Sequence, residues 1–193
     1  MKNKISYGGF FLILIGVVIL DQISKFWSQK RFLIHSSQNA IHSYLADSIT
    51  VFKMGSEPHN FLEFSVTYVR NTGAAWGFLG DLPESIRPYF FYGLSGVAMI
   101  LIFWFFMKTS SREFLTRLGI ALIFAGAMGN FIDRVYLHYV IDWIHFRWKI
   151  SFWAYDFPVF NVADSCVTIG AIVLFIEALY GAAVSKKLNP PGQ

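Results

Sequence analysis

The sequence predicts an all-α membrane protein, four transmembrane helices with a small extracytoplasmic β element, in a single domain over residues 1–193. Three observations predict it. Apolar residues make up 55% of the chain, aromatics 19% and charged residues only 15%, which is more hydrophobic surface than a soluble domain of this length buries. Four segments reach or approach the roughly 20 apolar residues needed to cross a bilayer. Two stretches between those segments alternate apolar and polar residues with the period of a strand.

The first span is expected over about 6–27, interrupted by Asp21 and Lys25. The second, 88–107, carries no charge up to Met107. The third, 114–132, is free of charge only from Leu118 to Ile132, so Arg117 at one end and Asp133 with Arg134 at the other fall at its interfaces. The fourth is expected over 162–184, with Glu177 near its far end. Four spans put both termini on one side. Lys2, Lys4, Lys108, Arg112, Arg117, Lys186 and Lys187 cluster in short segments on that side, which the positive-inside rule makes cytoplasmic. The connections of about 29–87 and 133–161 then face outward, and Asp142 and Asp164 with them.

The amino terminus resembles a secretory signal, with lysines before an apolar run, but Asp21-Gln22-Ile23-Ser24-Lys25 follows in place of a small-residue cleavage site, so an uncleaved span is expected. The single cysteine, Cys166, forms no internal disulfide and has no metal-ligand spacing around it. The polar stretch from His35 to Asn60 reads as loosely structured. In the outer connections Leu62, Phe64, Val66 and Tyr68 alternate with Glu63, Ser65 and Thr67, and Phe146, Trp148, Ile150 and Phe152 alternate with Arg147, Lys149 and Ser151. Each such strand has one aromatic face, suited to the outer leaflet at headgroup level or to covering the bundle.

Ionisable groups at membrane depth are costly and are functional suspects by default. Asp142 and Asp164 each stand beside the end of a membrane segment. Two carboxylates in reach of each other can share one proton, one activating water while the other polarises a carbonyl. The plain alternative for either alone is a helix cap or interfacial carboxylate. Asp133, next to Arg134, is a rival, and there a structural ion pair is the stronger reading. Asp21 and Lys25, four apart, share a helix face and can neutralise each other in a structural role. Gly126 and Gly129 let another backbone approach closely.

Five blocks occur in order along the chain: Asp21-Gln22-Ile23-Ser24-Lys25; Asn71-Thr72-Gly73-Ala74-Ala75-Trp76-Gly77; Gly126-Ala127-Met128-Gly129-Asn130-Phe131-Ile132-Asp133-Arg134; Val140-Ile141-Asp142; and Phe160-Asn161-Val162-Ala163-Asp164. They resemble the motif blocks of bacterial lipoprotein signal peptidase, signal peptidase II. The resemblance implies a four-helix aspartic endopeptidase of the bacterial inner membrane that removes the signal peptide of prolipoproteins before a diacylglyceryl-modified cysteine. It implies Asp142 and Asp164 as catalytic residues, Asn71, Gly126, Asn130, Arg134 and Asn161 as substrate-binding, and Asp21, Lys25, Gly73, Asp133 and Ala163 as supporting. No metal or organic cofactor is expected. The expected partners are prolipoproteins and membrane lipids, with no nucleic acid, and the chain is expected to be a monomer. Trp76 and Trp143 stand where the family usually has phenylalanine, and the stretch 35–60 is longer than the family's.

Other classes fit less well. Gly93-Leu94-Ser95-Gly96 spells a serine-protease motif, but no histidine lies in any span to act as base, and packing of small residues explains it better. A proton-coupled transporter would place its carboxylates near the midplane. A metalloprotease needs more ligands than Asp142 and His145 supply.

Overall fold

The computed structural model describes residues 5–33, 48–57, 59–73, 83, 85–111 and 113–188, with side chains to 181. The elements run α1 (Tyr7–Leu33), β1 (Ile49–Gly55), β2 (Phe61–Asn71), α2 (Arg87–Lys108), α3 (Phe114–Leu137), β3 (Val140–Ile150), β4 (Trp153–Asp156) and α4 (Val162–Leu188). All four helices are long and apolar enough to cross a membrane, with mean hydropathy between 1.5 and 2.0 over the best windows. The strands form one antiparallel sheet in the order β1-β2-β3-β4. The all-α expectation was therefore too narrow. The β element is a four-stranded sheet, because β1 lies inside the polar stretch expected to be loose and β4 is too short to show a period.

Two compact units make up the chain: Met1–Ile19, Gly93–Gly129 and Ala163–Gln193 in one, Leu20–Tyr92 and Asn130–Val162 in the other. In the first, Phe10 is fully buried among Phe103, Phe106 and Phe124, with ring centroids 4.3–5.5 Å away. Arg117 is also buried, and its guanidinium donates to the carbonyls of Thr109, Ile5 and Phe106 while lying over the Phe106 ring. Two of those carbonyls close α2, so the cation sits at the negative end of a helix dipole. Leu12, Ile100 and Phe175 project outward, as side chains facing lipid do.

α3 and α4 approach through small residues spaced seven apart. A Cβ on Gly119 would lie 2.9 Å from the Gly170 carbonyl oxygen, one on Gly170 would lie 2.6 Å from that of Gly119, and one on Gly126 would overlap the carbonyl of Ala163. Lipid gives helices no hydrophobic reason to associate, so close backbone contact supplies the packing. Gly93 and Gly96 do not share this role: a Cβ on either meets nothing within 4 Å among the described residues, and their neighbours Leu94 and Val97 are exposed. The packing explanation for that motif is thus corrected.

In the second unit β2 pairs with β3 as Leu62↔Trp148, Phe64↔Phe146 and Val66↔Ile144, with a bulge between Val66 and Val69. The expected alternation is present, but Phe152 lies beyond β3, in the two-residue turn to β4, where Ser151 has φ 56°. The polar residues Glu63, Ser65 and Thr67 are all buried, whereas on the apolar face Val66 is buried, Phe64 and Tyr68 are half-buried and Leu62 is exposed. Glu63 bonds Arg147 and Lys53, Ser65 contacts His145, and Ser28 on α1 donates to the Thr67 carbonyl at 2.7 Å. An apolar face can stay outside only where the surroundings are apolar too.

Candidate active site

Asp142 sits on β3, 2% exposed, two residues into the strand and opposite Val69 of β2. Asn71 Nδ2 donates to its Oδ2 at 2.9 Å and Asn161 Nδ2 to its Oδ1 at 2.7 Å. Both amide orientations are fixed by backbone groups. Asn71 Oδ1 accepts the Gly73 N–H at 3.1 Å, and Asn161 Nδ2 also donates to the Ile141 carbonyl at 3.2 Å. Neither amide can flip without setting acceptor against acceptor or donor against donor. Asp142 therefore receives an N–H on each oxygen, an arrangement that stabilises its charge.

Behind Asn161 runs a polar network that ends in α1. Asn130 Oδ1 accepts from both Asn161 Nδ2 at 3.2 Å and Lys25 Nζ at 3.0 Å. Lys25, 1% exposed, also bonds Asp21 at 2.8 Å and Asp133 at 2.9 Å. Asp133 Oδ2 in turn accepts the Ile141 N–H at 3.0 Å, which fastens β3 one residue before Asp142. The expected link of Asp133 to Arg134 is replaced by this one with Lys25, because consecutive residues on a helix diverge by about 100°. One lysine between two aspartates leaves an acceptor over, and Gln22 Nε2 fills it by donating to Asp133 at 2.8 Å.

Arg134 faces elsewhere: its guanidinium makes long contacts of 3.5 Å to the Asn130 and Gly73 carbonyls and lies 5.3 Å above the Phe91 ring. Its own carbonyl accepts from the His138 N–H and the Tyr92 hydroxyl. Gly126 and the buried Ala163 meet at the α3–α4 contact, so the observed role of both is close packing. Asp164 lies in the first turn of α4. Trp143 presents its ring edge to Trp27 at 6.0 Å, and its buried Nε1 has no hydrogen-bond partner among the described residues. Trp76 lies outside the described residues. His145 bonds Asp156 and Ser65, so its ring nitrogens are engaged by residues other than Asp142.

Sequence reading did not single out Gln22, Ser28 or Tyr92 as parts of this assembly. For the first two a signal was present: Gln22, Lys25 and Ser28 recur every three residues along α1, a polar stripe on an otherwise apolar helix.

Known proteins resemble this chain over nearly its whole length. Residues 13–180 match the sequence profile of signal peptidase (SPase) II. A lipoprotein signal peptidase of Staphylococcus aureus (strain MRSA252) is 36% identical over 187 residues, covering 97% of this chain and 98% of the relative. That of strain JH9 is 35% identical over the same length. Among solved structures, a bacterial membrane enzyme determined by the in meso method at 2.3 Å resolution superposes with a TM-score of 0.62 at 32% identity, covering 100% of this chain and 98% of that one. A second, at 1.9 Å resolution, gives 0.61 at 34% identity over 93% and 97%. With most of its length matched and its four apolar helices in place, the chain belongs to the signal peptidase II family of membrane peptidases.

Proposed function

We propose that this protein is an aspartic endopeptidase that removes the signal peptide from diacylglyceryl-modified prolipoproteins, cutting on the amino side of the lipidated cysteine, with Asp142 and Asp164 as its catalytic pair. The observation that carries the proposal is the pair of fixed amide donors on Asp142. A carboxylate so held is poised to accept a proton from water. Asp164, three residues along from Asn161, is the partner. One carboxyl of the pair takes a proton from the attacking water while the other, protonated, donates to the scissile carbonyl. As the tetrahedral intermediate collapses, the first passes its proton to the leaving amine nitrogen and the second recovers its own from the intermediate's hydroxyl. Asn71, Asn130, Asn161 and Arg134 hold the substrate backbone and ester oxygens, Arg134 through its fork of donors. Asp21, Lys25, Asp133 and Gly73 keep the donors in register.

Family membership supports the removal of signal peptides from prolipoproteins. The aspartic chemistry, the placement of the site at the outer face of the inner membrane, and the monomeric state belong to this proposal. The test uses purified protein and a prolipoprotein with and without its diacylglyceryl group. Asp142→Asn and Asp164→Asn should each abolish cleavage with the fold retained. The unlipidated chain should be cut at least about a hundredfold more slowly, equivalent to roughly 2.7 kcal/mol of transition-state binding. Near-normal turnover in either variant would remove that residue from the pair. Equal rates on both substrates would end the lipoprotein assignment.

A further inference from the structure

Arg70, next to Asn71 on β2, is exposed, yet its guanidinium is held. Its Nε donates to the Tyr68 hydroxyl at 3.2 Å, and its guanidinium carbon lies 5.2 Å from the Tyr139 ring centroid and 5.8 Å from that of Tyr68. The two tyrosine hydroxyls bond each other at 3.2 Å, which braces both rings. Burial first, then the bond to Tyr68, push the Tyr139 hydroxyl up to about 12, so the Tyr139 ring beside the guanidinium carries no charge at physiological pH. A surface arginine ordinarily loses side-chain freedom when it binds a ligand. Here much of that freedom is already lost, and the Nη atoms have no partner among the described residues.

The location narrows what those atoms bind. Tyr139 lies two residues past Leu137, the end of α3, so the guanidinium stands at the level where a spanning helix leaves the hydrocarbon. Tyr136, 79% exposed, and Tyr89, 72% exposed, mark the same level by the preference of amphipathic rings for the interface. The anion abundant at that depth is the phosphodiester of a phospholipid, whose two free oxygens match an arginine fork. We propose that Arg70, clamped between Tyr68 and Tyr139, is a binding site for the phosphodiester of an anionic glycerophospholipid. The site goes beyond the peptidase reading and does not rest on it.

The test measures retention of dioleoylphosphatidylglycerol by the purified full chain in detergent, using native mass spectrometry, with dioleoylglycerol as the phosphate-free control. Arg70→Gln should raise the apparent Kd for phosphatidylglycerol about tenfold or more, and Tyr139→Leu several-fold, with diacylglycerol binding unchanged. Arg70→Lys should fall between wild type and Arg70→Gln, since it keeps the charge and loses the fork. Inorganic phosphate at millimolar concentration should not compete. Wild-type retention in Arg70→Gln would overturn the site. Full competition by inorganic phosphate would overturn the lipid as its occupant. A parallel loss of diacylglycerol binding would show a general loss of lipid contact and overturn it as well.

Discussion

Gly126 of α3 lies so close to Ala163 of α4 that a single methyl group on the glycine would overlap the alanine's carbonyl oxygen. Ala163 precedes Asp164, so any displacement there moves the first turn of α4. Gly126→Ala is expected to cost about 1–3 kcal/mol, as overpacking of a tight contact does, and to reduce cleavage beyond what the lost stability explains. Gly119→Ala meets the Gly170 carbonyl and the flexible Leu174 side chain, eight or more residues beyond Val162 at the start of α4, and should lower stability while largely sparing turnover in the folded fraction. Thermal unfolding in detergent paired with cleavage rates decides this. Equal losses of turnover at matched stability would break the link between Gly126 and Asp164.

Glu63 gives stability a defined acid limb. Burial raises its carboxyl, but hydrogen bonds and charge from Lys53 and Arg147 outweigh that and hold it below the ordinary value of 4.5; Thr50 also contacts it. Its contribution is therefore fully present above pH 4.5 and is lost as pH falls through the lower folded value. Glu63→Gln should be less stable than wild type at pH 6–7 by roughly 1–3 kcal/mol, the size of hydrogen bonds to charged groups, and the gap should narrow below about pH 4.5. Unfolding curves across this range measure it. A gap that stays constant with pH would mean that the charge on Glu63 contributes nothing.

Topology can be read directly from thiol labelling. With Cys166 replaced, single cysteines at Ser48 and Ser151 are expected to react with an impermeant reagent outside intact spheroplasts, and one at Ser110 only after lysis. The opposite pattern would place Asp142 on the cytoplasmic side, where an exported prolipoprotein could not reach it.

The aromatic face of the sheet supplies another contrast. Trp148 packs against Tyr155 with centroids 5.0 Å apart and the rings tilted by 43°, and the adjacent Lys149 points to the opposite face, as successive strand residues do. Trp148→Asp should raise the apparent KM, or cut activity, more than Lys149→Asp. Matched effects in a bilayer assay would show that this face does not meet lipid or substrate.

The sequence by itself determined the four spans, because the cost of crossing a bilayer is nearly a sum over residues and needs no partner. Helix ends moved outward all the same: α1 reaches Leu33 and α3 reaches Leu137, since a helix continues past the apolar run while its polar side chains find partners. The motif blocks also carry Asn71, Asn130, Asp142 and Asn161. Tertiary structure decided which groups those residues bond. Lys25 rather than Arg134 meets Asp133, Gly126 packs while Gly93 does not, and the polar side of β2 turns inward. A helix surrounded by lipid is apolar on nearly every side, so its sequence carries little amphipathic signal of which face meets a neighbour. Hydrogen bonds and close backbone contacts make that choice, and they exist only once the segments are assembled.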